Sequence, residues 1–288
     1  MDIAVYGIVN SISLALVALG FALVYGISRL PNFAHGALYV TTGFLVWSFL
    51  RTLALNYVLS ILISVLITGI IGSFIYRAIL IRIRGMAISE IIASYAIGLA
   101  IIEAFRFWGF KGMTYTLPSF TKKTIIIGDV PVDGHRVLVV VLGLLVMGSL
   151  WAFTHYTKMG LALRGMAQDE RAAMMLGIDS DFVALFAMGL GSALAGISAV
   201  LLLPLGNIVV EKGYDVLIQA LAVCIVGGLG SWAGAIMAAF IIGFAQIIAT
   251  AYLGAKFQMV VSLLAILFVL ILKPSGLFGR QKELEERV

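Results

Sequence analysis

The sequence predicts an all-α fold, a polytopic bundle of transmembrane helices, and three observations lead there. Of the 288 residues, 62% are hydrophobic and 11% charged, where a soluble domain carries roughly half apolar and about a quarter charged residues. The 19 Lys and Arg and the 14 Asp and Glu gather in a few places and leave apolar runs of bilayer-spanning length between them. The 31 glycines suit helices whose backbones approach closely, because no hydrophobic effect drives helix against helix in lipid. Together these exclude a water-soluble globule and favour packed helices over a barrel.

Nine runs, hence about 8–9 hydrophobic segments with some broken or re-entrant, reach or approach the length of a span: 5–27, 35–50, 54–76, 87–107, 135–156, 181–203, 214–231, 233–253 and 256–273. The first ends before the first basic residue, Arg29, so it lacks the basic start of a secretory leader and reads as a retained span. Before the short second run, Pro31 cannot donate a backbone hydrogen bond and Gly36 loosens the helix, which predicts a break at 31–36. Asn32 and His35 either satisfy the freed backbone groups or line a path. The fourth run holds Glu90 and Glu103 toward its ends, as capping or interfacial carboxylates or as ion-relay groups.

Residues 108–134, with Pro118 and Pro131, form a long connection containing two turn-like pieces, Ile127-Gly128-Asp129 and Val132-Asp133-Gly134. Among the later runs, the pair meeting at Ser231 has almost no connector, a pattern found in discontinuous helices beside a permeation path. Gly227, Gly228 and Gly230 line such a path, act as a hinge, or simply let helices pack. Small residues four apart, as in Ala187 with Gly191, Ser192 with Gly196, Gly230 with Gly234 and Ala239 with Gly243, favour close packing. Trp232 suits an interface. The single cysteine, Cys224, lies in an apolar run, forms no disulfide framework and reads as a packing residue.

The net charge of +5 reads as basic residues held at cytoplasmic ends of spans rather than as a nucleic-acid surface. Placing 28–35, 77–86, 157–180, the Ser231 joint and the tail inside puts 11 of the 19 Lys and Arg there: Arg29, Arg77, Arg82, Arg84, Lys158, Arg164, Arg171, Lys273, Arg280, Lys282 and Arg287. Nine crossings then leave the amino terminus outside, whereas a re-entrant 35–50 leaves eight and reverses it. The dipeptide Gly-Lys, His-Glu-x-x-His and Gly-x-Ser-x-Gly do not occur, and His35, His135 and His155 have no metal-ligand spacing. Enzyme chemistry finds no motif, and a transporter of this kind would draw its energy from a partner.

The most polar internal segment is 158–181. Asp169 is an N-cap candidate, Glu170 puts negative charge in a first turn and Gly177 suits a left-handed C′ position, which predicts one short helix of about 12 Å. Ala172, Ala173, Met175 and Leu176 give it a small apolar surface beside Arg171, fit either for another protein's groove or for an interfacial helix that merely joins two spans. Asp179 or Ser180 can cap the span that follows.

Here the sequence resembles a known family. Residues 158–179 look like the cytoplasmic coupling loop of the branched-chain amino acid ABC transporter permeases. Leu23-Val24-Tyr25-Gly26 with Asn32-Phe33-Ala34-His35-Gly36 resembles the family's amino-terminal signature. Gly227-Gly228-Leu229-Gly230-Ser231 with Gly234-Ala235 resembles its late glycine signature, and Lys273-Pro274-Ser275-Gly276-Leu277-Phe278-Gly279 its closing motif. Pro31 stands where an aliphatic residue is usual, and Trp232-Ala233 replaces a small residue and proline. The likeness is nearest to the shorter of that system's two permease subunits.

The resemblance implies one permease domain over 1–288, a coupling loop over about 158–180 and a cytoplasmic tail over about 274–288. ATPase coupling would fall on Arg164, Asp169, Arg171, Ala172, Ala173, Leu176 and Gly177. The path or helix break would fall on Asn32, His35, Gly36, Gly227, Gly228, Gly230 and Ser231. It also implies no catalytic residue, metal or cofactor in this chain, with ATP-Mg on partner ATPases. The partners would be a second permease, two ATPases, an extracytoplasmic substrate-binding protein and a small-molecule substrate, with no nucleic acid, in a prokaryote's cytoplasmic (inner) membrane. Branched-chain or other hydrophobic amino acids are the expected substrates. Urea, short amides or another small solute is the alternative, and an ion-coupled carrier or channel acting alone is the alternative class.

Overall fold

A computed structural model describes residues 2–29, 31–111, 113–121, 123–127 and 130–279. Each of the nine apolar runs holds a helix: α1 (Asp2–Ser28), α2 (His35–Arg51), α3 (Tyr57–Ala78), α4 (Ala87–Ala104), α5 (Gly134–Tyr156), α8 (Ser180–Leu202), α9 (Lys212–Gly227), α10 (Trp232–Leu253) and α11 (Phe257–Leu272). Two more, α6 (Lys158–Gln168) and α7 (Glu170–Met175), lie between α5 and α8. Among the described residues six helices are long and apolar enough to cross a membrane, while α2, α9 and α11 have 17, 16 and 16 residues.

Three boundaries depart from the sequence reading. The run 214–231 is not one helix: α9 stops at Gly227, and Gly228 and Gly230 take left-handed φ values of 99° and 84° before Ser231 caps α10. The fold is not purely helical, because β1 (Thr124–Ile127) and β2 (Val130–Asp133) pair antiparallel. The piece Val132-Asp133-Gly134 is no free turn: it ends β2 and starts α5, with Asp133 accepting from the His135 N–H at 2.8 Å. Gly128, Asp129, Arg280, Lys282 and Arg287, which also figured in the sequence reading, lie outside the described residues.

The bundle is built around α1, which buries nearly every residue from Ser11 to Ile27. Its neighbours approach through small residues. A Cβ on Gly191 of α8 would meet the Gly20 carbonyl, one on Gly243 of α10 would meet Ser11, and one on Gly196 would meet Thr42 of α2. These include the spacings that suggested close helix contact, and van der Waals packing of this kind is what holds helices together in lipid. Cys224 is buried in the same core, its thiol 3.8 Å from the Ala18 carbonyl oxygen. A polar chain crosses three helices: Asn10 Nδ2 donates to Gln246 Oε1 at 2.8 Å, and Gln246 Nε2 to Ser262 Oγ at 2.7 Å.

The outer helices turn the soluble pattern inside out. On α4 the buried residues are Glu90, Ser94, Gly98 and Ile102, every fourth position, a single line along one face. On α3 the buried line runs through Ser60, Ser64, Thr68 and Gly72. Their exposed faces carry Leu62, Leu66, Ile70, Phe74, Ile88 and Ile92. Polar atoms inward and large apolar side chains outward are what a lipid solvent selects.

The helices alternate in direction. At one end Tyr6 donates to the Pro131 carbonyl, Tyr115 bridges Ile208 and Arg106 pairs with Glu211 at 3.3 Å. At the other end the close of α1, the turn 79–86, α6, α7, the joint 228–231 and residues 273–279 come together.

Candidate functional site

The chain between α1 and α2 turns back into the bundle. Asn32 Nδ2 lies 3.7 Å from the Met188 sulfur, eight residues and so about 12 Å into α8. His35 Nε2 lies 3.0 Å from the Val17 carbonyl oxygen, eleven residues and so about 16 Å before the end of α1. The first residues of α2 therefore start in the bundle interior. Asn32 and His35 are buried, and their polar atoms are spent on the protein: Asn32 Oδ1 accepts from the Ala34 N–H at 3.0 Å, and the His35 ring meets Phe21 edge-on. Gly36 permits contact with the Gly213 carbonyl at the start of α9, where any Cβ would overlap.

The second interruption sits at the other end of α9. Gly227 lies against the backbone of Gly234, leaving no space for a side chain. Ser231 Oγ accepts from the Gly234 N–H at 3.1 Å. The closing motif returns to finish this joint: the Leu277 N–H donates to the Val226 carbonyl at 2.9 Å and the Phe278 N–H to the Gly227 carbonyl at 3.0 Å. Gly276, at φ 77°, lies on Gly228. The two breaks named from sequence thus flank one short helix.

The segment 158–180 holds two helices, not the single one expected. Thr157 caps α6, its hydroxyl oxygen accepting from the Gly160 N–H at 3.0 Å, and Gly160, Leu163 and Met166 turn inward. Spacing by three was the available signal. Asp169 caps α7, its Oδ1 3.0 Å from the Ala172 nitrogen, and Gly177 has φ 84°, as their residue types predicted. Arg171 and Ala172 are exposed, and Met175 and Leu176 are 87% and 84% exposed. Ala173 instead faces the core. Asp179 caps α8, accepting from the Asp181 and Phe182 N–H groups.

Arg164 lies on α6, apart from the exposed face of α7. It lines a cavity of about 560 Å³ with Arg29, Trp151, Gly230, Ser231 and Trp232. The structure thus brings one coupling candidate, Arg164, and two path candidates, Gly230 and Ser231, to the same space.

Sequence reasoning missed Arg84. Its guanidinium donates to the carboxylates of Asp181 and Glu170 and to Ser180 Oγ at 3.2 Å. Burial works against its charge, and Tyr76, Glu170 and Asp181 more than compensate, so its pKa stands above the ordinary value. Glu90 accepts from the Gly85 N–H at 2.7 Å. Glu103 is half-exposed at the hairpin end and pairs with Arg106 at 3.4 Å.

A family model described as "Branched-chain amino acid transport system / permease component" matches residues 3–272. The chain is 27% identical to the high-affinity branched-chain amino acid transport system permease protein LivH of Escherichia coli, over 95% of this chain and 94% of that protein. It is equally identical to BraD of Pseudomonas aeruginosa, over 96% and 94%. A probable LivH of Methanocaldococcus jannaschii is 29% identical over 94% and 90%. A solved structure described as "PsaBC from Streptococcus pneumoniae in complex with Fab" aligns over 100% of this chain and 96% of that one, with a TM-score of 0.53 and 12% identity, a likeness of fold.

Proposed function

Because the chain belongs to the family of branched-chain amino acid transport system permease components, we propose that it forms part of the translocation path of an ABC importer for branched-chain or related hydrophobic amino acids. The family match over residues 3–272 carries this reading. The chain is a multi-pass membrane protein, which we place in a prokaryotic inner membrane. The alternating direction of the six long helices and of the shorter α2, α9 and α11 supports nine passages, with the amino-terminal end outside and α6–α7 inside.

The chain performs no bond chemistry in this reading. Partner ATPases would bind the exposed face of α7, where Arg171, Met175 and Leu176 offer a charge beside apolar surface, as a helix seated in a groove requires. A second permease would complete the path and an extracytoplasmic binding protein would deliver the substrate. The break before α2, which touches the start of α9 at Gly213, and the joint at Gly228 to Ser231 that ends it favour that helix as a moving wall. A hydrophobic substrate needs few polar contacts in the path, in keeping with Asn32 and His35 spending theirs on the backbone.

The test is uptake in vesicles holding this chain, its second permease and the ATPases, with the binding protein added outside. ATP-dependent leucine uptake that is lost in Gly177→Leu is expected. Uptake by this chain alone, driven by a proton or sodium gradient and lost in Glu103→Gln, would overturn the reading. The position of Glu103, at the hairpin end and paired with Arg106, speaks against an intramembrane relay.

A further inference from the structure

We propose that Arg84 is a positioning residue that latches the coupling helix to α4, and that α4 carries its movement to the break before α2; this rests on the importer reading above. Arg84 follows a short 3-10 turn, Leu80–Ile83, that joins α3 to α4. Its two terminal nitrogens divide between elements: Nη2 donates to Glu170 at the start of α7, and Nη1 to Asp181 and Ser180 at the start of α8. Only a planar guanidinium presents two charged donors in such a fixed fork. Arg84 is thus the ionic link between the 79–86 turn and α7 among the described residues.

The next two contacts lead inward. Gly85, at φ 88°, donates its N–H to Glu90 Oε1 at 2.7 Å, so the turn is tied to the first turn of α4. Four residues on, Ser94 Oγ accepts from the Phe33 N–H at 3.3 Å. Four further, Gly98 lies against the Phe33 carbonyl and the Ala34 Cα. Glu90 and Gly98 are eight residues apart, about 12 Å of helix. One line of α4 therefore begins at the latch and ends on the break.

The same helix is weakly held elsewhere. Its described buried residues are the four on that line, flanked by the partly buried Ala93, Ile97 and Ile101, and Ile88, Ile92, Tyr95 and Leu99 on the far side are exposed. A helix fixed along one edge can shift as a rod without unpacking the α1 core. A push on α7 would displace the 79–86 turn through Arg84, then Glu90, and move Phe33 and Ala34 against α9.

The experiment uses the complete transporter in vesicles, comparing wild type, Arg84→Gln, Arg84→Lys and Glu170→Gln. Uptake per ATP hydrolysed is measured with the distance between labels at the exposed positions Ile92 on α4 and Leu145 on α5. In wild type the label distance should change with ATP. In Arg84→Gln, hydrolysis should persist while uptake per ATP falls about tenfold or more, within the range of ordinary coupling energies, and the label distance should stop responding. Adding Glu170→Gln to Arg84→Gln should cost little more, since one link is cut twice. Unchanged uptake per ATP and an unchanged label response in Arg84→Gln would overturn the latch. So would failure of the transporter to assemble in both Arg84→Gln and Arg84→Lys, which would make Arg84 a structural brace. Absence of ATP-driven uptake in wild type would instead sink the importer reading.

Discussion

At the break before α2, side chains supply what the backbone lacks: Asn32 accepts from Ala34, Ser94 accepts from Phe33, and His35 meets the Val17 carbonyl. At the joint after α9, backbone meets backbone, with Gly227 on Gly234, Gly228 on Gly276, and Val226 and Gly227 receiving N–H groups from the returning tail. Both interruptions leave peptide groups that lipid cannot satisfy. The difference teaches which atoms can be exchanged. The first break has side chains whose removal leaves backbone groups unpaired, whereas the second is closed by backbone except for the Ser231 cap on Gly234 and has no space for a side chain at Gly227 or Gly228.

The sharpest way to break this comparison is to add one methyl group at the joint. Gly227→Ala should destabilise by about 3 kcal/mol, near the upper end for overpacking, because the Gly234 backbone cannot yield as a flexible side chain would; thermal unfolding in detergent measures it. Next, Leu277→Pro removes the N–H given to Val226 and should cost about 2 kcal/mol, as a buried carbonyl left unpaired does. Raised hydrogen exchange confined to the end of α9 would accompany it.

At the first break, Asn32→Ala should cost about 1–2 kcal/mol through the unpaired Ala34 N–H, and Asn32→Asp, which keeps an acceptor oxygen, should restore that bond while adding a buried charge. A loss for Gly227→Ala smaller than for Asn32→Ala would reverse the contrast. The mildest case is the Thr42 and Thr68 hydroxyl pair, 2.8 Å apart between α2 and α3. A double-mutant cycle with valine should give about 0.6 kcal/mol, the usual worth of such a bond between membrane helices.

Local rules made much of this molecule readable. Apolar length located the helices of the nine runs, six of them long and three short, Asp169 and Gly177 marked the ends of α7, and Pro31 with Gly36 marked the first break, because each acts within a few residues of itself. Helix α6 was missed because Gly160 and Gly165 weaken the helical signal of 158–168, leaving the three-residue spacing of Gly160, Leu163 and Met166 as the one local sign of its inward face. Arg84 was counted among inside charges and no more. Its acidic partners lie 86 and 97 residues away in the chain, beyond any spacing rule. Ala173 was grouped with its neighbours by composition, and a six-residue helix has too few turns for periodicity to assign its faces.

The tail that closes the second joint also bears on how the protein is made. Val226 and Gly227 leave the ribosome two helices before Leu277 and Phe278, the residues that pair with their carbonyls. Until translation passes those residues, the end of α9 must be tended by water, by lipid headgroups or by the insertion machinery. Closure of the joint therefore waits for the segment that follows α11, and a chain stopped after α11 would be released with that seam still open.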